Sequence, residues 1–238
     1  ANENYWKGKP AIDRMVWHEY ANQDALVQAL TAGEIDMIVG DAVPFTAVQT
    51  LQETEGIEVP IMPALSFDEL ISNSFAEGTQ PASLKDPQVR TAIEYGVDRQ
   101  QIINVAYLGY GEPLISPVPK PMGDWYNSDL QAIQFDPTEG SRILEEAGYL
   151  DSNGDGIRED ADGNALSYRF YGTEGAQNAR IMEIISDGLS QIGIEATPVM
   201  MDEDSIIALY PAFDFDLLYW GWGVDPDPDF SMMIFTCE

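Results

Sequence analysis

The sequence predicts an α/β fold, and three observations support this prediction. Apolar residues recur at helical spacing in several segments, short runs of strand length lie between those segments, and the two patterns alternate in the first and last thirds of the chain. The chain has 238 residues, of which 45% are hydrophobic, so it can bury a sizeable core. Because no linker, repeat or low-complexity tract stands out, we expect one domain over residues 1–238.

The first third of the chain predicts a β-α-β-α-β succession. Asn22 is a suitable N-cap for a helix that carries apolar residues on one face and ends at Gly33. Residues 44–53 predict a second helix. The expected strands, which are alternating or short apolar runs, cover residues 14–20, 35–39 and 57–64.

The middle third is predicted to be helical, because three aspartates stand where helix N-caps are expected. Asp86 and Asp136 each precede a proline, which is favoured at the first helical position because its missing N–H is not needed there. Asp98 is expected to cap the helix between them, which extends to Gly109. The helix that follows Asp136 is expected to end at Gly148.

The last third returns to alternation between strands and helices. Its final strand is a nearly continuous apolar run, as expected for a strand buried on both faces of a sheet. The expected strands cover residues 166–171, 194–200 and 215–222, and the expected helices cover residues 177–192 and 205–210.

The charge of the chain is strongly negative, with 41 acidic and 11 basic residues and a formal net charge of −30. This charge excludes nucleic acid as a partner, because phosphate binding needs clustered lysine and arginine. It is compatible with a solvated, salt-adapted surface, with cation binding, or with a secreted protein kept soluble by charge. The single cysteine, Cys237, excludes an internal disulfide.

An acidic, glycine-rich segment has the spacing of a calcium-binding loop. Oxygen-bearing side chains occupy positions 1, 3 and 5, and Gly156 stands where the loop must turn sharply. The candidate ligands are Asp151, Asn153, Asp155, the backbone carbonyl of Ile157, and Asp162. Two interpretations remain open here, an ordered cation and a solvated turn without one, since position 12 is an aspartate where a longer glutamate is usual.

Catalytic motifs are absent from the sequence. His18 is the only histidine, so zinc and cysteine–histidine chemistry are poorly supported, and there is no P-loop, dinucleotide fingerprint or nucleophile elbow.

A binding surface is better supported, because Trp222 stands at the end of the last predicted strand between Gly221 and Gly223. Small neighbours allow a ligand to approach the backbone, and the indole offers a flat apolar wall.

Several segments, in order along nearly the whole chain, resemble the dipeptide- and oligopeptide-binding proteins of extracellular solute-binding protein family 5, which serve ABC importers. The longest of them is LKDPQVRTAIEYGVDR, residues 84–99. The others are NYWKGKP (residues 4–10), GEID (33–36), YLGYG (107–111), SPVP (116–119), DP (136–137) with EAGY (146–149), and GWGVD (221–225) with DPD (227–229).

The resemblance implies one lobe of a type II (class C) periplasmic binding protein, with a mixed sheet flanked by helices. In this family the second lobe is inserted between two halves of the first, and residues 1–238 resemble that inserted lobe without the other one. The implied function is the capture of dipeptides, oligopeptides or a related small solute in a cleft between the lobes, followed by delivery to an ABC permease. No cofactor is required for this function, and calcium is the one cation that the sequence suggests.

The resemblance also assigns a ligand contact to Asp225, which occupies the place of an aspartate that pairs with the α-ammonium of a bound peptide. It implies a monomer in the periplasm or outside the cell, with a lipoprotein anchor in a Gram-positive-like cell. The alternative from another class is an acidic hydrolase domain that uses a pair of carboxylates, which would have to converge in an enclosed pocket.

Overall fold

The computed structural model describes residues 4–39, 42–75, 78–225, 227–229 and 232–233. The sequence led us to expect one domain over residues 1–238, whereas the structure groups the chain into two compact units, Ala1–Ile61 and Met62–Glu238.

The smaller unit contains two helices, α1 (Gln23–Thr31) and α2 (Phe45–Gln52), as the sequence predicts. The Asn22 side chain caps α1, because its Oδ1 accepts a hydrogen bond of 2.9 Å from the backbone N–H of Ala25. The buried residues of the two helices are Ala29, Val48 and Leu51.

The strands predicted over residues 14–20, 35–39 and 57–64 are wrong. Within the described residues up to Leu65, no segment pairs as a strand. Alternation gives a segment the capacity to form a strand, but the strand exists only where a neighbouring strand completes its hydrogen bonds. Apolar side chains of these segments are therefore exposed, among them Met15, Val16, Trp17, Met37, Val39 and Ile61.

The larger unit is built on a four-stranded mixed sheet. Its strands are β1 (Ser66–Ser72), β2 (Ser167–Thr173), β3 (Glu195–Met201) and β4 (Leu217–Gly223), in the spatial order β1-β4-β2-β3. Strand β2 pairs in parallel with both β3 and β4, while β1 pairs antiparallel with β4. The mixed sheet is thus confirmed, and the three strands predicted in the last third match β2, β3 and β4. Strand β1 was not predicted.

In the described part of this unit, α-helices flank the sheet, and the starts of three of them confirm the predicted N-caps. The helices are α3 (Pro87–Gly96), α4 (Arg99–Val105), α5 (Pro137–Glu146), α6 (Ala176–Ser190) and α7 (Glu203–Leu209). Side chains of Asp86, Asp98 and Asp136 accept hydrogen bonds from backbone N–H groups in the first turns of α3, α4 and α5. Each cap satisfies donors that the first helical turn leaves without a partner.

The core of the larger unit lies on both faces of the sheet. On one face, Tyr168 and Phe170 of β2 join a large buried cluster that includes residues of α3, α5 and α6. On the other face, Leu218 of β4 packs with Ile206 of α7 and with Phe215. No helix in the described part of the chain is long and apolar enough to cross a membrane.

Candidate functional site

The candidate site lies where the parallel strands of the larger unit end. Strands β2, β3 and β4 run in the same direction. Their last residues, Thr173, Met201 and Gly223, therefore lie along the same side of the sheet, at the carboxyl ends of the strands. In open α/β sheets, ligands bind outside the carboxyl ends of the strands. Trp222 and Gly223, which the sequence singled out, occupy this side at the end of β4.

Trp222 is half-buried and packs against apolar neighbours. It pairs across the sheet with Phe67 of β1 and packs in a small cluster with Phe67, Met122 and Val224. The pairing of the two strands continues past β4, because the Val224 N–H donates to the Leu65 carbonyl at 2.8 Å. The indole is therefore attached to a rigid part of the sheet, as a binding wall requires.

Two polar residues complete the surroundings of Trp222. Its Nε1–H donates to Glu69 Oε1 at 2.6 Å, and the Tyr210 ring meets the indole edge-on, with centroids 6.4 Å apart and an interplanar angle of 88°. Burial raises the pKa of Glu69, and the hydrogen bond from Trp222 partly opposes this rise. Burial and the nearby Glu69 carboxylate raise the pKa of Tyr210 to about 12, so its hydroxyl is protonated at neutral pH.

Glu69 and Tyr210 were missed in the sequence analysis. Glu69 lies on β1, which was not predicted, and 153 positions separate it from Trp222. Tyr210 follows α7 and looks like an ordinary helix-end residue. Only the register of β1 against β4 brings Glu69 to the same face of the sheet as Trp222.

The two glycines beside Trp222 have different roles. A Cβ on Gly223 would meet no atom within 4 Å, so the space beside this residue is open. A Cβ on Gly221 would instead overlap the carboxylate of Asp68. Open space therefore lies beside Gly223, where a ligand contact stays a prediction, while Gly221 makes room for a neighbouring side chain.

Asp68 belongs to a hydrogen-bonded cluster on the opposite face of the sheet from Trp222. The Tyr107 hydroxyl donates to the Asp68 carboxylate and lies 2.8 Å from the Tyr219 hydroxyl. Burial, reinforced by the Asp68 charge, raises the pKa of both phenols well above the usual range. Both tyrosines therefore stay protonated, and the cluster fastens the segment that follows α4 to the β1–β4 pair.

Asp225 follows β4 by two residues and is exposed. Among the described residues its carboxylate makes no hydrogen bond or ion pair, whereas the nearby Asp227 carboxylate accepts the backbone N–H of Asp229 at 3.1 Å. The Asp227 carboxylate thus stabilises its own turn, and the ligand contact of Asp225 stays a prediction. Pro226, the next residue in the sequence, lies outside the described residues.

The acidic loop gathers carboxylates, but not all of the predicted ones. Asp151 and Asp155 each place a carboxylate oxygen within 4.8 Å of the other and of Glu159, which the sequence analysis did not include. Asp162 lies in a separate turn, where its N–H donates to Asp160 Oδ1 at 2.9 Å. The Asn153 amide donates to Glu159 Oε1 at 2.7 Å.

Backbone N–H groups also define the shape of this loop. Asp151 accepts hydrogen bonds from Gly154 and Gly156, and Asp155 accepts one from Ile157, at 2.7 to 3.0 Å. These bonds hold the loop in a turn by themselves. The calcium site therefore stays a prediction, with Glu159 in the position that its spacing assigns to a ninth-position ligand.

Calorimetric titration tests this prediction. Calcium is expected to release or absorb heat on mixing with the wild-type chain, and the signal should disappear in Asp151→Asn and Glu159→Gln, since both remove a gathered carboxylate. Asp162→Asn is the matched control and should titrate like the wild type. If calcium gives no heat with the wild-type chain, the loop is a turn that needs no cation.

One pair of carboxylates that converges near the sheet does not suit hydrolysis. Asp214 and Asp216 both bind Arg169, with nitrogen–oxygen distances of 2.9 and 3.0 Å. The guanidinium holds the pKa of Asp214 below its usual range. A general acid needs a raised pKa, so this pair is a structural ion pair.

Comparisons with known proteins point to one protein family. The model for bacterial extracellular solute-binding proteins, family 5 Middle, matches residues 1–238. The oligopeptide-binding protein AppA of Bacillus subtilis is 28% identical over 235 residues, which cover 96% of this chain and 41% of AppA. The nickel-binding periplasmic protein of Escherichia coli is 27% identical, over 98% of this chain and 44% of its own length.

Solved structures agree with these matches. The structure of AppA in complex with a nonapeptide has a TM-score of 0.75 at 25% identity, covering 96% of this chain and 44% of AppA. That of NikA from Brucella suis, in complex with Fe(III)-EDTA, has a TM-score of 0.76 at 26% identity, covering 94% of this chain and 44% of NikA. The chain thus spans less than half the length of these relatives. From the match over all 238 residues, the chain belongs to the bacterial extracellular solute-binding proteins of family 5.

Proposed function

We propose that this chain is part of the solute-binding component of an ABC importer, and that the whole protein captures a peptide. The observation that carries the proposal is the end of β4, where a fixed indole, an open glycine and an available carboxylate follow one another at Trp222, Gly223 and Asp225. A flat apolar wall suits a side chain, and an exposed backbone beside it suits the peptide main chain. The carboxylate suits an α-ammonium group.

A peptide fits this chain better than a metal ion does. Family relatives include a nickel-binding protein, so membership of the family does not by itself define the ligand. Nickel is commonly bound through imidazole, and the segment from Trp222 to Asp225 contains no histidine. The residues at the end of β4 offer aromatic and carboxylate groups to an organic cation.

The larger unit is proposed to form one wall of the binding cleft. Because the chain spans 41% of AppA, the other wall comes from the rest of the protein. We propose that residues 1–238 supply the inserted lobe, and that the ligand stabilises the closed arrangement through contacts to both lobes. One lobe retains only part of the contacts, so the isolated chain should bind peptides weakly.

The proposal extends to the cellular setting. The protein would act as a monomer in the periplasm or outside the cell, with a lipoprotein anchor where the cell lacks an outer membrane, and would pass its ligand to a membrane permease. None of this requires a cofactor.

Mass spectrometry of the full-length protein tests the proposal. Protein purified without denaturant is expected to release short peptides on acid treatment, and an unfolded and refolded sample should bind the same peptides by calorimetry. Trp222→Ala should reduce the amount of peptide that is retained. Recovery of a metal chelate, a haem or a sugar in place of peptides would contradict the proposal, as would cleavage of added peptides.

A further inference from the structure

The carboxylate of Glu69 is held beside Trp222 by a hydrogen bond from the indole itself. Glu69 and Trp222 lie on the same face of the β1–β4 pair, on adjoining cross-strand positions, because Phe67 pairs with Trp222 and Glu69 pairs with Trp220. The hydrogen bond between Trp222 Nε1 and Glu69 Oε1 measures 2.6 Å, which is short for an N–H donor, and its acceptor is a carboxylate oxygen. It fixes the rotation of the indole about its side-chain bonds.

The remaining neighbours of the indole do not fix it in the same way. Phe67, Met122 and Val224 contact it through apolar surfaces, and Tyr210 meets it edge-on. Apolar contacts have no preferred direction, so they do not decide where the N–H edge of the indole points. Glu69 supplies the directional contact, and partial burial of its carboxylate makes an unpaired arrangement unfavourable.

We propose that Glu69 is the positioning residue of the ligand-binding surface: its carboxylate fixes the indole of Trp222 in the orientation that the ligand meets beside Gly223. The inference rests on the proposed function for its effect on affinity, and on the geometry alone for its effect on the indole. Glu69 acts on the ligand only through the position of Trp222. The charged group of the ligand pairs with Asp225 and not with Glu69.

The first measurement needs no ligand. In full-length protein labelled with ¹⁵N-tryptophan, the indole N–H resonance of Trp222 is assigned by its absence in Trp222→Phe. It is expected to move upfield in Glu69→Leu, which lacks an acceptor, and to stay near its wild-type position in Glu69→Gln, whose amide oxygen still accepts. Glu58→Leu, which removes an exposed glutamate of the smaller unit, is the control and should leave the resonance unchanged.

The second measurement is peptide affinity in the same proteins. Glu69→Leu is expected to weaken binding about tenfold, as for the loss of one hydrogen bond to a charged group, while Glu69→Gln stays within about threefold of the wild type. Equal losses in the two variants would mean that the ligand reads the charge, and would overturn the inference. So would an indole resonance that does not respond to Glu69→Leu. If the wild-type protein binds no peptide, the proposed function fails, while the resonance still decides whether Glu69 positions the indole.

Discussion

Replacing Gly188 by alanine is expected to lower the free energy of unfolding of the larger unit by about 2 kcal/mol or more, as overpacking of a close contact does. Gly188 lies on α6, and a Cβ there would overlap the carbonyl oxygen of Gly96 at the end of α3. Gly96 is less confined, because a Cβ on it would come within 2.9 Å of Leu189 Cδ2, the end of a side chain that can rotate. The contact at Gly188 is with backbone, so it cannot be relieved by rotating a side chain.

The helical preference of alanine acts in the opposite direction. Alanine stabilises a helix interior by about 1 kcal/mol relative to glycine, so a measured loss understates the cost of the contact. Urea denaturation followed by circular dichroism gives the comparison. Gly223→Ala is the matched control, since it adds the same methyl group where no atom lies within 4 Å. Equal midpoints for both variants would contradict the prediction.

Local signals explain why most helices were predicted correctly. Asp86, Asp98 and Asp136 cap the first turns of their helices through hydrogen bonds that reach two or three residues along the chain. Information of this kind is contained in a short window of sequence. The contact between Gly96 and Gly188 is not, because the periodicity of each helix gives no indication of which partner its small residues face.

The strands show the opposite case. In the last third, the apolar runs that became β2, β3 and β4 are buried in a sheet that the chain itself completes. In the first third, residues 14–20 alternate equally well, yet Met15 and Trp17 remain exposed and pair with no strand among the described residues. A pattern of alternation states which faces a strand would have, but not whether a partner is present.

The candidate site was predictable only in part, for the same reason. Trp222 and Gly223 could be selected because they end an apolar strand, and Asp225 because of the family resemblance. Glu69 could not, since its contact with Trp222 depends on strand register. In the acidic loop, the spacing of a calcium-binding loop assigns the twelfth position to Asp162. The chain instead turns at Asp160, and Glu159 lies beside Asp151.

Peptide affinity of the full-length protein is expected to fall by about 3–5 kcal/mol in Asp225→Asn, the usual cost of removing one partner from a buried charge pair. This corresponds to more than a hundredfold change in the dissociation constant, since each 1.4 kcal/mol is about tenfold. The α-ammonium of a peptide loses its hydration when the cleft closes, so it needs an opposed carboxylate. Asp225 is exposed, directly follows the fixed strand end, and has no partner among the described residues that a ligand would have to displace.

The neighbouring acids provide the control for this prediction. Asp229→Asn removes one negative charge from the same turn, and so reproduces any general effect of charge on the approach of a cationic ligand. Calorimetry at low and high salt separates the two contributions, because a general charge effect is screened by salt while a buried ion pair is screened much less. Asp225→Asn should lose affinity at both salt concentrations and Asp229→Asn should lose little at either. Small, equal and salt-sensitive losses in the two variants would show that Asp225 is one more acid of a negatively charged surface, and that the α-ammonium is bound elsewhere.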